Sequence, residues 1–229
     1  VEPTRQQLFI GDVHVCSWEL DLLLERAGYH PGMDVYFVGD LICKGPDSLG
    51  VLNRFKELGA QAVIGNHERA FLKYLVRKPK AKKPAYDLLA KQLGDQLDYW
   101  VEEMYSWPLY IETNDWLMVH AGLEPGRHPK KTSARLLTKI RTWDGKGNYI
   151  WRMTDPPWYQ LYKDKKPVIF GHWATGGLIV RSNAIGLDTG CVYGGKLTAM
   201  LFPERQIIQI QAQQVYVEPR YKTRLYPVK

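Results

Sequence analysis

Five short apolar runs, each leading to a side chain able to bind a metal ion, constrain this chain more than its composition does. Leu8-Phe9-Ile10 leads to Asp12, Val35-Tyr36-Phe37-Val38 to Asp40, and Ala62-Val63-Ile64 to Asn66. Further on, Trp116-Leu117-Met118-Val119 leads to His120 and Val168-Ile169-Phe170 to His172. Apolar runs this short, without polar alternation, read as strands buried on both faces. Helical spacing fills the gaps between the first three: Leu20, Leu23 and Leu24 within Trp18 to Ala27, then Val51, Leu52 and Phe55 within Leu49 to Leu58. The order is therefore βαβ. Open α/β sheets bind ligands outside the carboxyl ends of their strands, so the five polar ends are expected along one sheet edge.

His67 to Val76 continues as a helix with Asn66 and His67 at its amino end, where partial positive charge suits an anion. Ala85 to Tyr105 reads as one or two amphipathic helices and Ser133 to Lys139 as a short one. Gly145 to Lys166 breaks into aromatics and prolines and is expected as an ordered loop. Leu178-Ile179-Val180, Ala184 to Leu187, Lys196 to Leu201 and Gln206 to Ile210 read as strands with turns between.

Asp, Asn and imidazole donors mixed in this way suit first-row divalent ions, and the absence of any CxxC excludes a zinc ribbon. Six donors, Asp12, His14, Asp40, Asn66, His120 and His172, saturate two ions only if one donor is shared, and the carboxylate of Asp40 is the natural bridge. Two ions about 3.5–4 Å apart lower the pKa of a water between them and clamp the attacking and leaving oxygens, which is the chemistry of phosphate ester or anhydride hydrolysis.

The ordered segments Gly11-Asp12-Val13-His14, Gly39-Asp40, Gly65-Asn66-His67-Glu68, His120-Ala121-Gly122 and Gly171-His172 resemble the motifs of the phosphoprotein phosphatase branch of the calcineurin-like metallophosphoesterases. Phe170-Gly171-His172-Trp173 and the stretch from Leu187 to Gly195 are similar to the symmetrical diadenosine tetraphosphatases, and Cys43-Lys44 in the second motif resembles the ApaH-like phosphatases. The resemblance implies an α/β fold of two mixed β-sheets sandwiched between helices. It also implies that Asp12 and His14 hold the first ion, that Asp40 bridges, and that Asn66, His120 and His172 hold the second. Manganese is the expected metal, with cobalt, iron, zinc or magnesium as the other candidates. His67 matches the family's general acid, and Lys44 and Arg141 match its phosphate-gripping cations.

Two positions depart from the family pattern. Val15 stands where the first motif has glycine, and its branched side chain is expected to narrow the pocket. Cys43 replaces the Asp that would orient His67, which leaves that imidazole short of a partner and its pKa less raised. A nucleotide phosphate leaves more readily than a serine alkoxide, so the substitution favours phosphoanhydrides. Lys44 in place of Arg points the same way, as a point charge rather than a bidentate fork.

The expected activity is cleavage of dinucleoside polyphosphates, diadenosine tetraphosphate to ADP, with inorganic polyphosphate or capped RNA as related substrates. A protein serine/threonine phosphatase and a non-catalytic module that binds caps or polyphosphate are the alternatives. The net charge of +7 favours anionic partners. Much of it lies in Arg77 to Pro84 and Arg127 to Lys131, either as solvated loops or as a rim guiding a polyphosphate inward.

One domain is expected over the 229 residues, its core from about 7 to 212 and a basic tail beyond. No run approaches the roughly 18–20 apolar residues of a membrane span, and no signal-peptide apolar region stands before Leu8. The expected address is cytoplasmic, and a targeting segment upstream of Val1 would not be visible in this sequence. Cys16, Cys43 and Cys191 fit a reducing compartment. Trp100, Trp107 and Trp116 are expected in the core, whereas Trp158 and Trp173 are candidates for stacking on a base. Asp188 and Tyr193, in the glycine-rich ending, are read as turn residues with Asp188 capping backbone donors, the alternative being that they face the site.

Overall fold

The computed structural model describes residues 6–77 and 83–219. Most of the first basic tract and the end of the tail therefore lie outside the described residues. The elements run in chain order as β1 (Gln7–Ile10), α1 (Ser17–Arg26), β2 (Asp34–Phe37), α2 (Ser48–Glu57), β3 (Gln61–Ala62), α3 (Asn66–Arg77), α4 (Pro84–Leu93) and α5 (Leu97–Ser106). They continue as β4 (Tyr110–Glu112), β5 (Leu117–Val119), α6 (Ala134–Leu137), β6 (Val168–Phe170), β7 (Ile179–Val180), β8 (Ala184–Gly186), β9 (Lys196–Phe202) and β10 (Gln206–Gln211). The segment from Gly145 to Lys166 is irregular apart from one 3-10 turn at Trp158–Gln160. Strand β4 carries no clear periodic signal and was not expected.

The strands form two five-stranded sheets, ordered β10-β9-β1-β2-β3 and β4-β5-β6-β8-β7. Within the first, β1–β2 and β2–β3 are parallel and β9 and β10 antiparallel. Within the second, β5–β6 and β6–β8 are parallel and the outer strands antiparallel. Both sheets are thus mixed, as the resemblance implied. The single-edge expectation is corrected, because the five ligand-bearing runs divide three to two between sheets.

Side-chain alternation explains the layering. Along β1, Leu8 and Ile10 pack with helices α1 and α2, while Phe9 joins a second layer with Tyr36, Val38, Trp116, Met118 and Ile169. Along β6, Ile169 enters that same layer and Val168 and Phe170 face a third with Trp158 and Leu137. A strand apolar on both faces has to be covered on both, and here a second sheet covers one face. Phe9 at the middle of this layer stacks on Tyr36 at 5.1 Å and meets the edge of Trp116 at 4.9 Å. The parallel strands of both sheets end at the same rim, which is where the polar groups collect.

Candidate metal centre

Tight turns after β1 and β2 begin the site. Six of the seven non-glycine residues with positive φ among the described residues are His14, Val15, Asp40, Cys43, Lys44 and His172, all in the turns that form the rim. Such backbone costs about 1–3 kcal/mol per residue and persists only where the surroundings enforce it. Glu68 is the main enforcer. It is fully buried, and its carboxylate accepts hydrogen bonds from the amides of Asp40 (3.1 Å), Leu41 (2.8 Å), Ile42 (3.3 Å) and Gly65 (3.0 Å). A β-carbon on Gly65 would collide with both Asp40 and Glu68, so the two turns can lock only around a bare backbone.

Asp40 lies at the centre. Its Oδ2 is 3.4 Å from His120 Nε2, 3.7 Å from His14 Nε2 and 4.0 Å from His67 Nε2, and its Oδ1 accepts the amide of His67 at 2.9 Å. Donor atoms of His14, Asp40 and His67 all lie within 4.8 Å of one another, and so do those of Asp40, His120 and His172. Two triads therefore share one carboxylate. Asn66 adds its Oδ1 at 3.1 Å from His120 Nε2. Asp12 approaches from β1, accepting the His172 amide on both oxygens at 3.0 and 3.1 Å. A β-carbon on Gly171 would strike that carboxylate.

The ring nitrogens facing away from the rim are oriented by backbone: His120 Nδ1 lies 2.8 Å from the carbonyl of Val38 and His14 Nδ1 3.2 Å from that of Ile42. These contacts turn each Nε2 toward the centre. His67 differs, since its Nδ1 is buried and has no hydrogen-bond partner. The partner predicted to be lost with Cys43 is indeed lacking.

The charge balance suits a divalent pair. Burial, reinforced by the carboxylate of Asp188, pushes Asp12 well above the usual carboxylate range. Burial works against Asp40 as well, but the imidazoles of His120 and His67 outweigh it and hold that carboxyl well below. Burial also disfavours charge on His120, yet Asp40 and Asp12 raise it to about 10, so a proton there meets the need for positive charge. His14 and His172 are pushed well below the usual imidazole range by burial, and next by Lys44 and Arg141 respectively. His67 falls to about 4, again chiefly by burial. Crowded buried carboxylates beside neutral imidazoles are donors lacking cations, and the set fits two divalent ions.

Lys44 places Nζ 2.9 Å from His14 Nε2 and 5.1 Å from the centre of the Tyr193 ring. Arg141 is half-buried and its charge falls within the fields of Asp188, Asp12 and Asp40, while its Nε has no partner. All nine predicted residues thus meet at one rim. His67, Asn66, Lys44, Arg141 and His172 keep part of their surface open to solvent, whereas Asp12, His14, Asp40 and His120 are buried beneath.

The pattern of the calcineurin-like phosphoesterases matches residues 7–210. The chain belongs to that family. It is 33% identical to the symmetrical bis(5'-nucleosyl)-tetraphosphatase of Ralstonia nicotianae, covering 90% of this chain and 93% of that one. It is 29% identical to an asymmetrical bis(5'-nucleosyl)-tetraphosphatase of Oceanobacillus iheyensis, covering 93% and 94%. A crystal structure assigned as a candidate diadenosine tetraphosphatase superposes with a TM-score of 0.82 at 31% identity, covering 92% and 95%. Family membership implies divalent metal ions, and the two triads joined at Asp40 are candidate ligand groups for them.

Three expectations for this phosphoesterase need correction. Val15 does not narrow the pocket: it is fully buried in the core, and the demand at that position is its φ of 60°. Trp158 is fully buried, donates to the Ala121 carbonyl at 3.1 Å and packs under the rim. Trp173 is likewise buried and bonds Thr175, so neither offers an open face to a base. The tryptophans assigned to the core, Trp100, Trp107 and Trp116, are all buried.

Asp188 does cap Gly190 at 3.0 Å as a turn residue, but its charge also acts on Asp12. Glu68 stood in the quoted motif without a role, and Tyr193 had no signal beyond a glycine-rich setting. In the smaller basic group, Arg127 pairs with Glu124 at 3.1 Å and His128 with Glu112 at 2.9 Å, so neighbouring carboxylates offset part of its charge. Among the described residues no helix is long and apolar enough to cross a membrane.

Proposed function

We propose that this phosphoesterase hydrolyses phosphoanhydride bonds of dinucleoside polyphosphates, cutting diadenosine tetraphosphate at its central anhydride to give ADP. The observation that carries the reading is the pair of carboxylate and imidazole triads joined through Asp40. Asp12 and His14 would hold one ion, Asn66, His120 and His172 the other, and Asp40 would be shared between them. Manganese is the first choice, with cobalt, iron, zinc or magnesium as the alternatives. When bound, such a pair polarises the phosphoryl group and activates water for in-line attack.

The chain's own residues do the rest. Lys44 and Arg141 stand at the open side and neutralise charge on the non-bridging oxygens of the reacting phosphoryl group. His67 faces the leaving oxygen from the amino end of α3, and the backbone amides there favour an anion. Its Nδ1 lacks a carboxylate to support proton donation. A leaving nucleoside diphosphate is a weak base and needs little protonation, whereas a serine alkoxide needs it strongly. The partnerless imidazole therefore supports an anhydride over a phosphoprotein. Polyphosphate and the triphosphate bridge of capped RNA contain the same bond and belong to the same reading. The three cysteines are free and buried, which supports a reducing, cytoplasmic setting.

Incubation with diadenosine tetraphosphate, capped RNA, long-chain polyphosphate and a phosphopeptide, each with Mn, Co, Mg or Zn, tests this directly. ADP as the sole nucleotide product of the first is expected. ATP with AMP would relocate the cut, and phosphopeptide turnover far above the other three would overturn the reading.

A further inference from the structure

Behind the rim, on the opposite side of the same turns, lies a second cluster of ligand-type side chains that the phosphoesterase chemistry does not use. Cys16, Glu19 and Cys191 are each at most 1% exposed, and their donor atoms all lie within 4.8 Å of one another. Cys16 stands at the start of α1, two residues after His14, with its thiol 3.7 Å from the His14 carbonyl. Cys191 follows Asp188 by three residues in the glycine-rich ending. Glu19 lies on the first turn of α1. One of its oxygens, Oε1, accepts from the Gln213 amide at 3.0 Å and from the Tyr216 hydroxyl at 2.8 Å. The other, Oε2, is buried with no partner.

A carboxylate this deep ordinarily has every lone-pair direction satisfied, because an unpaired buried charge is costly. Here the unsatisfied oxygen shares its pocket with two sulfurs, and no cationic side chain is hydrogen-bonded to it.

We infer that Cys16, Cys191 and Glu19 form a separate site for one borderline-soft divalent ion of the zinc class, which ties the His14 turn to the Asp188 turn. Two sulfurs and one oxygen are a donor set that zinc accepts and that magnesium or calcium does not. Zn–S bonds of about 2.3 Å require the three side chains to draw inward slightly from their present spread. The segment from Gln213 to Val217 closes the pocket: Tyr216 and Val217 donate to the Val192 carbonyl at 3.1 and 3.0 Å. The ion is therefore taken up during folding, before that segment docks. Its role is to brace the turns, and it touches no substrate. The inference rests on this cluster alone and stands whether or not the rim cleaves dinucleotides.

Cobalt is the probe, supplied during expression of the full chain, because a thiolate on Co(II) gives a near-ultraviolet charge-transfer absorption that carboxylate and imidazole ligands do not. The wild-type protein is expected to show that absorption, and Asp40→Asn to retain it, since that change acts only at the rim. Cys191→Ser is expected to lose about half of the absorption or more while keeping its circular dichroism, and adding Cys16→Ser to lose the rest together with one cobalt per chain. Glu19→Gln preserves an acceptor for Tyr216 and Gln213 and is expected to weaken cobalt retention against a chelator by about tenfold or more, as the loss of one anionic donor should. Absence of the absorption in folded, cobalt-loaded wild-type protein would overturn the inference. So would its undiminished persistence in a variant carrying both Cys16→Ser and Cys191→Ser, which would assign the signal to Cys43. Should Cys191→Ser not fold, Cys16→Ser and the wild-type spectrum decide the matter.

Discussion

The two sheets deliver their groups to the rim by different means. The first sends His14, Asp40 and Lys44 through left-handed turns, the one at Asp40 held in place by the buried carboxylate of Glu68. The second presents His120 directly off the end of β5, its ring fixed by one backbone carbonyl and its strand by an apolar layer. Strain is stored where several charge-bearing atoms converge, and ordinary packing suffices for His120; His172, the other group from the second sheet, arrives through a left-handed turn of its own. The turns of the first sheet are therefore where the site should be most fragile, and the packing around β5 where it should be tolerant.

The largest effect is expected at the atom both triads share. Loss of a residue that merely supports a metal ligand costs about 10–100-fold, so Asp40→Asn should reduce turnover by more than about 100-fold while the circular dichroism remains that of the parent. Retained turnover would remove Asp40 from the bridging role. Next comes the enforcer. Glu68→Ala leaves four buried amides without an acceptor, and urea denaturation should show a loss of about 3–5 kcal/mol. A loss below about 1 kcal/mol would mean that water or a shifted turn replaces the carboxylate, and that the strain of the first sheet is not held there.

Lys44→Ala and Arg141→Ala should each lower kcat/KM for diadenosine tetraphosphate by about 10–1000-fold, the range for removing one preorganised charge donor. Equal effects would place both cations on the reacting phosphate. An effect confined to KM would assign the weaker one to binding alone.

Cys43→Asp supplies the carboxylate that the family pattern has at this position to support His67. Turnover of a phosphopeptide should rise severalfold relative to the dinucleotide, and an unchanged ratio would show that the missing partner does not set the preference. The smallest effect belongs to the second sheet. Trp158→Phe removes one hydrogen bond beneath the rim and should cost about 1 kcal/mol in stability without altering KM. A raised KM would return this tryptophan to the binding site.

Much of this molecule was legible as local pattern. Helices α1 and α2 start and stop within a residue or so of where leucine and valine spacing placed them, because a 3.6-residue period needs no knowledge of the partner. The apolar runs before Asp12, Asp40, His120 and His172 read correctly as strands for the same reason, and β3 proved shorter than its run. Strand β4 escaped because Tyr110–Glu112 is half-exposed at a sheet edge, where alternation is weak. The motifs that resemble the family also contain Asp12, His14, Asp40, Lys44, Asn66, His67, His120 and His172, which meet at the rim, but gave no role to Glu68 or Tyr193.

What the chain determined by itself was an inventory in order: which carboxylates, amides and imidazoles follow which strands, and hence what chemistry they suit. Tertiary structure alone decided that those strands belong to two sheets, that Val15 turns inward, that Trp158 and Trp173 are buried, and that Glu68 ties two turns together. The physical reason is range. Periodicity and turn chemistry act over a few residues and are written locally, whereas sheet membership, burial and a carboxylate meeting amides 26 to 28 positions away are settled only when distant segments pack.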